Sequence, residues 1–447
     1  MQQRVKMEDT SSMLGEQRPS EQERENWPAF WATQGQPWRT EPEIVAQRQA
    51  ELAARRNITP DVSRGIYPFK GMKLCRADIE WLLATHENGR GPVDYHDESQ
   101  HDRVGLDLRG ADLSHVQLQN LPLARTIGDV SWRTWTNLTE KQHRMAAINL
   151  QHADLKGAYL EEAGLEYADL GQADLRGCHL EKANLGQVNL RGAYCEGAHL
   201  EGADLWYANL REAFLWRVYL QGARFYEASL DGAHLDGPVL VGEDGVGPCL
   251  LDLHWEDVNL ARVNWSQVHI LGEEEIAQRK KQDGKVKDRT TRLREFEEAV
   301  RANRQLVVVL QAQGLNEDAA RFAYRAQVLQ RKSLALQGRR KLGAYLFSLL
   351  LALLTGYGHR MGRIIIAYVL LVSLFASLYY GFGLSYPPHM SWLEACILSI
   401  TAFHGRVFSS PFLPGSPQSI VTACEAVIGF AFEGIFIAML TQRFFGR

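Results

Sequence analysis

Two carboxylates occur inside an otherwise apolar stretch near the end of this chain. Glu425 and Glu433 lie in the segment Ile420–Leu440, and Gly429 lies midway between them. Spacings of four place these three residues on one face of a helix, with Thr422 one turn earlier on that face. A carboxylate in the middle of a membrane span costs about 2.5–3.5 kcal/mol on insertion scales, so it normally faces water or a polar partner. We therefore expect these residues either to line or gate an aqueous path, or to bond a neighbouring helix.

A second group of residues of interest precedes this segment. It lies at the end of the apolar stretch Ser391–Phe403, which is too short to cross a bilayer because a helical span needs about 20 residues. Its residues are consecutive: Thr401, Ala402, Phe403, His404, Gly405 and Arg406. On the other side of this stretch lies Ile364–Phe382, an uncharged span candidate. Backbone that enters the membrane and returns is tolerated only where protein or water covers it. The pattern predicts a re-entrant pore loop between two transmembrane helices.

Basic residues surround a shorter apolar stretch, Leu342–Leu354, that precedes the first span. They are Arg339, Arg340, Lys341, Arg360 and Arg363. Because the stretch is short and flanked by positive charge, we predict an interfacial helix on the inner leaflet, with a buried helix of a soluble domain as the alternative. The positive-inside rule then predicts a multi-pass protein of the plasma membrane with both termini in the cytoplasm.

From residue 363 to the end, the order of elements resembles the pore module of the two-transmembrane potassium-channel superfamily. The resemblance implies a homotetramer around a shared pore, with residues 401–406 as the filter. The family filter reads T-V-G-Y-G followed by Asp. Thr401, Ala402 and Gly405 fit it. Phe403 replaces the first Gly, His404 the Tyr and Arg406 the Asp. Phe disfavours the positive φ that Gly permits, and a ring of Arg repels cations. The permeant ion therefore stays open: the pore could be wider, anion-tolerant or closed at rest.

The soluble part is dominated by a repeat with a period of five. From Leu150 to Leu235 an apolar or aromatic residue occupies nearly every fifth position, and a small residue, mostly Ala, lies two places before it. This period fits neither a helix nor a strand, so it indicates a repeat solenoid. Repeats begin at Leu106, are interrupted at 124–147 and again at Asp236–Pro248, and extend to Ile270.

The repeats follow the motif A-(D/N)-L-x-x. Examples are Ala153-Asp154-Leu155, Ala168-Asp169-Leu170, Ala173-Asp174-Leu175, Ala183-Asn184-Leu185, Ala203-Asp204-Leu205 and Ala208-Asn209-Leu210. This motif resembles that of the pentapeptide-repeat family. The resemblance implies a right-handed quadrilateral β-helix with one coil for every four repeats. The end coils of such a solenoid need covers, and we expect helices before Leu106 and after Gly272 to provide them.

Charge is distributed unevenly along the chain, although the net charge is only −4. Residues 150–270 hold 19 acidic and eight basic side chains, whereas residues 271–363 hold ten acidic and 19 basic ones. The resemblance implies that some pentapeptide-repeat proteins mimic DNA, which needs an uninterrupted acidic rod. Acidic and basic side chains alternate on the repeats here, so we do not expect such mimicry. We also expect no nucleic-acid partner.

No set of residues with catalytic or metal-ligand spacing is evident. The repeat histidines lie at outward positions without a nucleophile nearby: His152, His179, His199 and His234. The six cysteines form no C-x-x-C pair. We therefore expect no enzyme activity, no catalytic residue, no metal site and no cofactor.

These patterns predict a multidomain protein with five parts. They are an N-terminal tail and helical cap (1–100), a β-helix (101–271) with an insertion (124–147), a cytoplasmic helical hairpin (272–341), an interfacial helix (342–358) and a two-transmembrane pore domain (359–447). The predicted function is an oligomeric ion channel with a cytoplasmic pentapeptide-repeat domain, whose partners are the lipid bilayer and other copies of the chain. The alternative is a membrane-tethered scaffold that binds proteins and does not conduct.

Overall fold

The computed structural model describes residues 18–20, 23–62, 64–130, 138–280, 284, 286–355, 361–385, 389–405, 412 and 416–445. The chain forms two compact units, of which the first ends at Glu275 and the second begins at Ile276.

In the described residues three short helices precede the repeats: α1 (Trp27–Thr33), α2 (Ala46–Arg56) and α3 (Arg76–Ala84). The next segment, α4 (His86–Gly89), is a kinked turn, because Glu87 and Asn88 have left-handed backbone. The Arg48 guanidinium on α2 pairs with Asp78 on α3 at 2.8 Å. The segment after α2 pairs with the first coil, because the amide of Leu74 donates to the carbonyl of Asp112 at 3.0 Å. An extended segment therefore supplies backbone partners to the first coil.

The repeats wind into a β-helix whose successive coils are joined by parallel backbone bridges. Bridges join residues 20 positions apart on four ladders, of which examples are Asn149 to Asp169, Asp154 to Asp174, Tyr159 to His179 and Gly164 to Asn184. One coil is thus four pentapeptides, one on each side. The only pair of strands in the described chain, β1 (Phe214–Trp216) and β2 (His234–Asp236), is parallel in the same register.

The two inward positions of each pentapeptide fill the interior of the coils. Leu185 and Leu205 are fully buried, and so are the small residues that precede them, Ala183 and Ala203. Truncating such a leucine to alanine typically costs about 2–5 kcal/mol. The tight turns between sides require left-handed backbone, which Gly177 adopts readily (φ +61°).

The insertion after the first repeats leaves the following coils in the same register. The repeat continues past the predicted start of the insertion at Ala124, because Ile127 still bridges both Asp107 and Gly164. The excursion therefore lies between Gly128 and Ile148, and it contains α5 (Glu140–Ala146). The tryptophans at 132 and 135 lie outside the described residues.

The second unit is helical. It holds the later part of α6 (Gly272–Gln278), then α7 (Arg289–Ala312) and α8 (Asn316–Gln337), which form a hairpin. Phe296, Val300 and Leu329 bury the contact between α7 and α8. A 3-10 turn, Gly338–Lys341, leads into the last helices: α9 (Leu342–Thr355), α10 (Met361–Ser385), α11 (Trp392–Phe403) and α12 (Pro417–Phe445).

Candidate functional site

Two helices are long and apolar enough to cross a membrane. The segments are Ile364–Phe382 in α10 and Pro417–Ile437 in α12, and the shorter apolar helix α11 lies between them in the chain. Their outer faces carry bare apolar side chains, and Val427 and Phe430 are 70% and 81% exposed. Exposed apolar surface of this extent needs lipid or protein to cover it.

Helix α11 packs against both long helices. Its first turn is closed by a capping box, in which Ser391 and Glu394 bond each other's backbone amides. Its inward face buries Ala395 and Leu398 against Phe375 and Tyr379 of α10. At its other end Phe403 packs among residues of both long helices.

One carboxylate joins the three helices. Glu425 of α12 is fully buried. Its Oε2 accepts a hydrogen bond from the Tyr379 hydroxyl of α10 at 2.7 Å, and its Oε1 lies 2.5 Å from Ser399 Oγ of α11. Thr422 belongs to the same hydrogen-bonded group, because the Tyr379 hydroxyl also lies 3.2 Å from Thr422 Oγ1. Of the two roles expected for Glu425, this geometry favours a hydrogen bond to neighbouring helices over a position on an aqueous path.

Glu433 lies apart from Glu425, two turns further along α12. Its carboxylate pairs with Nδ1 of His404, whose Nε2 lies 3.2 Å from the Tyr368 hydroxyl. The side chains of His404 and Glu433 are 37% and 41% exposed. These two paired side chains are thus half exposed in the single chain, unlike the fully buried Glu425.

Gly429 permits a close approach between α11 and α12. A Cβ at this position would collide with the carbonyl oxygen of Phe403. Gly429 is therefore a close-packing position between the two helices.

The predicted filter differs in the structure from an extended chain of carbonyls. Thr401, Ala402 and Phe403 form the last turn of α11, and the Thr401 hydroxyl bonds the carbonyl of Leu398 at 2.9 Å. Gly405 follows with φ +62°, as is common just after a helix end. Burial of Phe403 among apolar side chains explains the helical turn, because an extended strand would expose its ring. Arg406 lies outside the described residues.

The membrane-proximal basic residues are only partly described. Arg339, Arg340 and Lys341 are exposed on the turn before α9. Arg360 lies outside the described residues, and Arg363 lies in the first turn of α10 with a side chain that is not described. Helix α9 exposes apolar side chains, including Phe347 at 58%, in line with an interfacial position.

The solenoid carries stacked side chains on its outer faces. Tyr159, His179, His199 and Tyr219 lie on successive coils, and their ring centroids are 4.9, 4.7 and 4.3 Å apart. Sequence reasoning treated these histidines as isolated surface residues and missed that a spacing of 20 brings them together.

Two buried carboxyls in the solenoid have raised pKa values. Burial raises the pKa of Asp129 to about 6, although its carboxylate accepts the Glu166 amide at 2.7 Å. Burial also raises the pKa of Glu161, and the neighbouring Glu181 carboxylate adds to that effect. Both groups therefore disfavour their charged form in the folded chain.

Comparison with known proteins identifies the repeats. The sequence model of the family Pentapeptide repeats (8 copies) matches four overlapping stretches, 144–181, 168–206, 178–217 and 198–237. The chain therefore contains a pentapeptide-repeat domain, which confirms that part of the prediction. No curated protein matched the chain.

Solved structures similar to this chain are also pentapeptide repeat proteins. One from Nostoc PCC 7120 is 30% identical over 24% of this chain and 84% of its own, with a TM-score of 0.15. HetL from the same cyanobacterium, involved in heterocyst differentiation regulation, is 26% identical over 36% and 83%, with a TM-score of 0.13. One from the thylakoid lumen of Arabidopsis thaliana is 29% identical over 24% and 70%, with a TM-score of 0.13. We base the assignment on the sequence model, because these TM-scores are low.

Proposed function

We propose that this chain is the subunit of an oligomeric membrane channel, with a pentapeptide-repeat domain on the cytoplasmic side. Helix α10 is the outer helix, α11 the re-entrant helix and α12 the inner helix. One observation carries the proposal: a helix too short to span a membrane packs against two span-length helices and is tied to both through Glu425. That arrangement packs one face of α11 against both long helices, and a re-entrant segment needs protein or water to cover it.

Assembly of several copies follows from the size of the pore domain. A single helical hairpin cannot enclose an aqueous path, so α12 faces must meet across an axis. Exposed Val427 and Phe430 supply apolar surface for contacts with lipid or with other copies. The resemblance to the potassium-channel pore module favours four copies.

The polar surface of the proposed pore is centred on His404 and Glu433. These side chains pair with each other and stay half exposed. Because Thr401–Phe403 is helical, we do not expect the carbonyl coordination that gives potassium selectivity.

Purified full-length protein in planar bilayers tests the proposal. We expect ionic current in symmetrical potassium, sodium or choline chloride under voltage, pH or tension steps, and four copies by native mass spectrometry. Glu433→Gln is the matched variant, because it removes a charge from a half-exposed position. It is expected to change the single-channel conductance in symmetrical salt and the reversal potential under a potassium chloride gradient. A monomeric particle without current under all conditions would end the proposal.

A second candidate function is a membrane-tethered scaffold. Exposed aromatic residues favour it: Tyr194, Tyr207 and Trp216 are 47%, 52% and 44% exposed on the solenoid. Aromatic residues are enriched at protein interfaces. Beside α5, a cavity of about 700 Å³ is lined by Tyr167 and Tyr226 among others. Specific capture of a partner by the 100–275 fragment, together with absence of current, would favour this function.

A further inference from the structure

The solenoid repeat brings two histidines and a glutamate together on one outer face. His179 and His199 lie on successive coils, with their rings stacked at 4.7 Å and inclined by only 8°. Glu181 lies two positions after His179, and its Oε1 is 3.1 Å from His179 Nδ1 and 4.0 Å from His199 Nδ1. One donor atom from each of the three residues lies within 4.8 Å of the other two. Among the described residues, this is the one group of histidine, cysteine and acidic side chains so arranged.

We propose that His179, Glu181 and His199 bind a divalent transition-metal ion of the Zn²⁺ class. Two imidazole nitrogens and a carboxylate oxygen form a donor set that Zn²⁺ accepts, with water or a further carboxylate as fourth ligand.

The distances are close to those that an ion requires. Bonds of about 2.1 Å allow two ligand atoms on one ion to be at most about 4.2 Å apart. Both histidine-to-carboxylate distances already satisfy this limit. One ring nitrogen of each histidine lies within 4.8 Å of the other, so the two need to approach by no more than about 0.6 Å on this bond length. Because the rings are stacked, binding also requires them to rotate about χ2 so that both lone pairs point at the ion.

A second observation supports a ligand at this face. Glutamates occupy the position of Glu181 on the neighbouring coils as well, at Glu161 on the preceding coil and Glu201 on the following one. In each of these three side chains the Oε2 atom is shielded from solvent and has no hydrogen-bond partner. Glu161 as a whole is only 1% exposed, and its carboxylate interacts electrostatically with Glu181 and His179. Buried carboxylate oxygens without a partner are costly, and a cation beside them would offset that cost.

The site is open enough for an ion to enter from solvent. The side chains of His179 and His199 are each 29% exposed, and that of Glu181 is 22% exposed. His199 has an additional carboxylate nearby, since its Nδ1 lies 3.2 Å from Glu201 Oε1. An ion held here would join two coils through side chains.

Titration of the full-length protein, purified in detergent without a histidine tag, tests the proposal with Zn²⁺ and Co²⁺. Calorimetry with Zn²⁺ is expected to show one tight site per chain, and Co²⁺ is expected to give the visible absorption bands of a low-coordinate complex. The test variant is His179→Tyr combined with His199→Tyr. Tyrosine already occupies the equivalent positions on the coils before and after, 159 and 219, and its ring stacks on these histidines, so the ring stack should be preserved. It is expected to weaken binding by more than about 100-fold, since removal of outer-shell partners alone costs 10–100-fold.

Two further variants separate ligation from folding. Glu181→Gln retains shape and removes one negative ligand, so it is expected to weaken the site. The control is His115→Asn combined with His152→Asn, which changes another stacked histidine pair, 4.6 Å apart, that belongs to no such group in the described chain. Asparagine tolerates the positive φ of both positions. Equal binding by wild type and the tyrosine variant, or no tight site in wild type, would overturn the proposal.

Discussion

Glu425 illustrates how one residue organises the helical bundle. Ser399 Oγ lies 2.5 Å from Glu425 Oε1 and 3.0 Å from the Val372 carbonyl oxygen. A hydroxyl has one proton, so it cannot donate to both oxygens. Ser399 therefore bonds either Glu425 or Val372 at a given moment, whereas Tyr379 offers Glu425 a second hydroxyl.

Substitutions at Glu425 should separate charge from hydrogen bonding. Glu425→Gln is expected to retain the fold, because its amide can donate to Ser399 and accept from Tyr379. Glu425→Leu removes the hydrogen bonds that the carboxylate makes with the Tyr379 and Ser399 hydroxyls, so it is expected to destabilise the protein by about 1–3 kcal/mol. Thermal unfolding of the two variants in the same detergent measures the difference. Equal loss in both variants would show that the negative charge itself is required.

Asp129 predicts a pH dependence of the solenoid. Its folded pKa of about 6 exceeds the ordinary value of 3.8, so the folded state binds the proton more tightly than the unfolded state does. Stability from this group is therefore fully present below about pH 4 and declines as the pH rises to about 6. Asp129→Asn should flatten the decline, measured by hydrogen exchange of the coil amides near Glu166 from pH 4 to pH 7. An unchanged pH profile in the variant would contradict the assignment.

At the scale of elements, the contact between α11 and α12 depends on a glycine. Gly429→Ala is expected to cost about 1–3 kcal/mol, because backbone must move to relieve the clash with Phe403. Gly434→Ala is the matched control on the same helix, since a Cβ there meets nothing within 4 Å and alanine favours helix. Thermal stability in detergent, read together with subunit stoichiometry, distinguishes the two. A destabilised Gly434 variant with an unaffected Gly429 variant would reverse our interpretation.

The turn before α9 should respond to lipid charge. Arg339, Arg340 and Lys341 are exposed, and each basic residue near an anionic surface contributes about 1 kcal/mol. Changing all three to Gln is expected to reduce the stabilisation that phosphatidylserine nanodiscs give over neutral ones. The control removes the same number of charges from α7, at Arg294, Arg301 and Arg304. Equal effects of both triple variants would assign the response to net charge alone.

For the whole molecule, the solenoid was more predictable than the helical unit. A strict period of five over many repeats specifies its core, because each small residue and each leucine occupies a repeated environment. The helices α10 and α12 were predictable from apolar length. The helical end of α11 at Phe403 was not, because it depends on packing against both long helices. The group around Glu181 was also missed, since its members come from different coils and no local motif joins them.

Phase in the solenoid survives two interruptions of different length. Asp112 bridges Asn149, 37 positions later, and Arg224 bridges Cys249, 25 positions later, whereas regular neighbours are 20 apart. The winding therefore resumes on the side where it stopped, whatever the number of extra residues between the two bridged positions. Peptides of different length can therefore be inserted at these two positions, while every downstream side chain keeps its angular position around the solenoid axis.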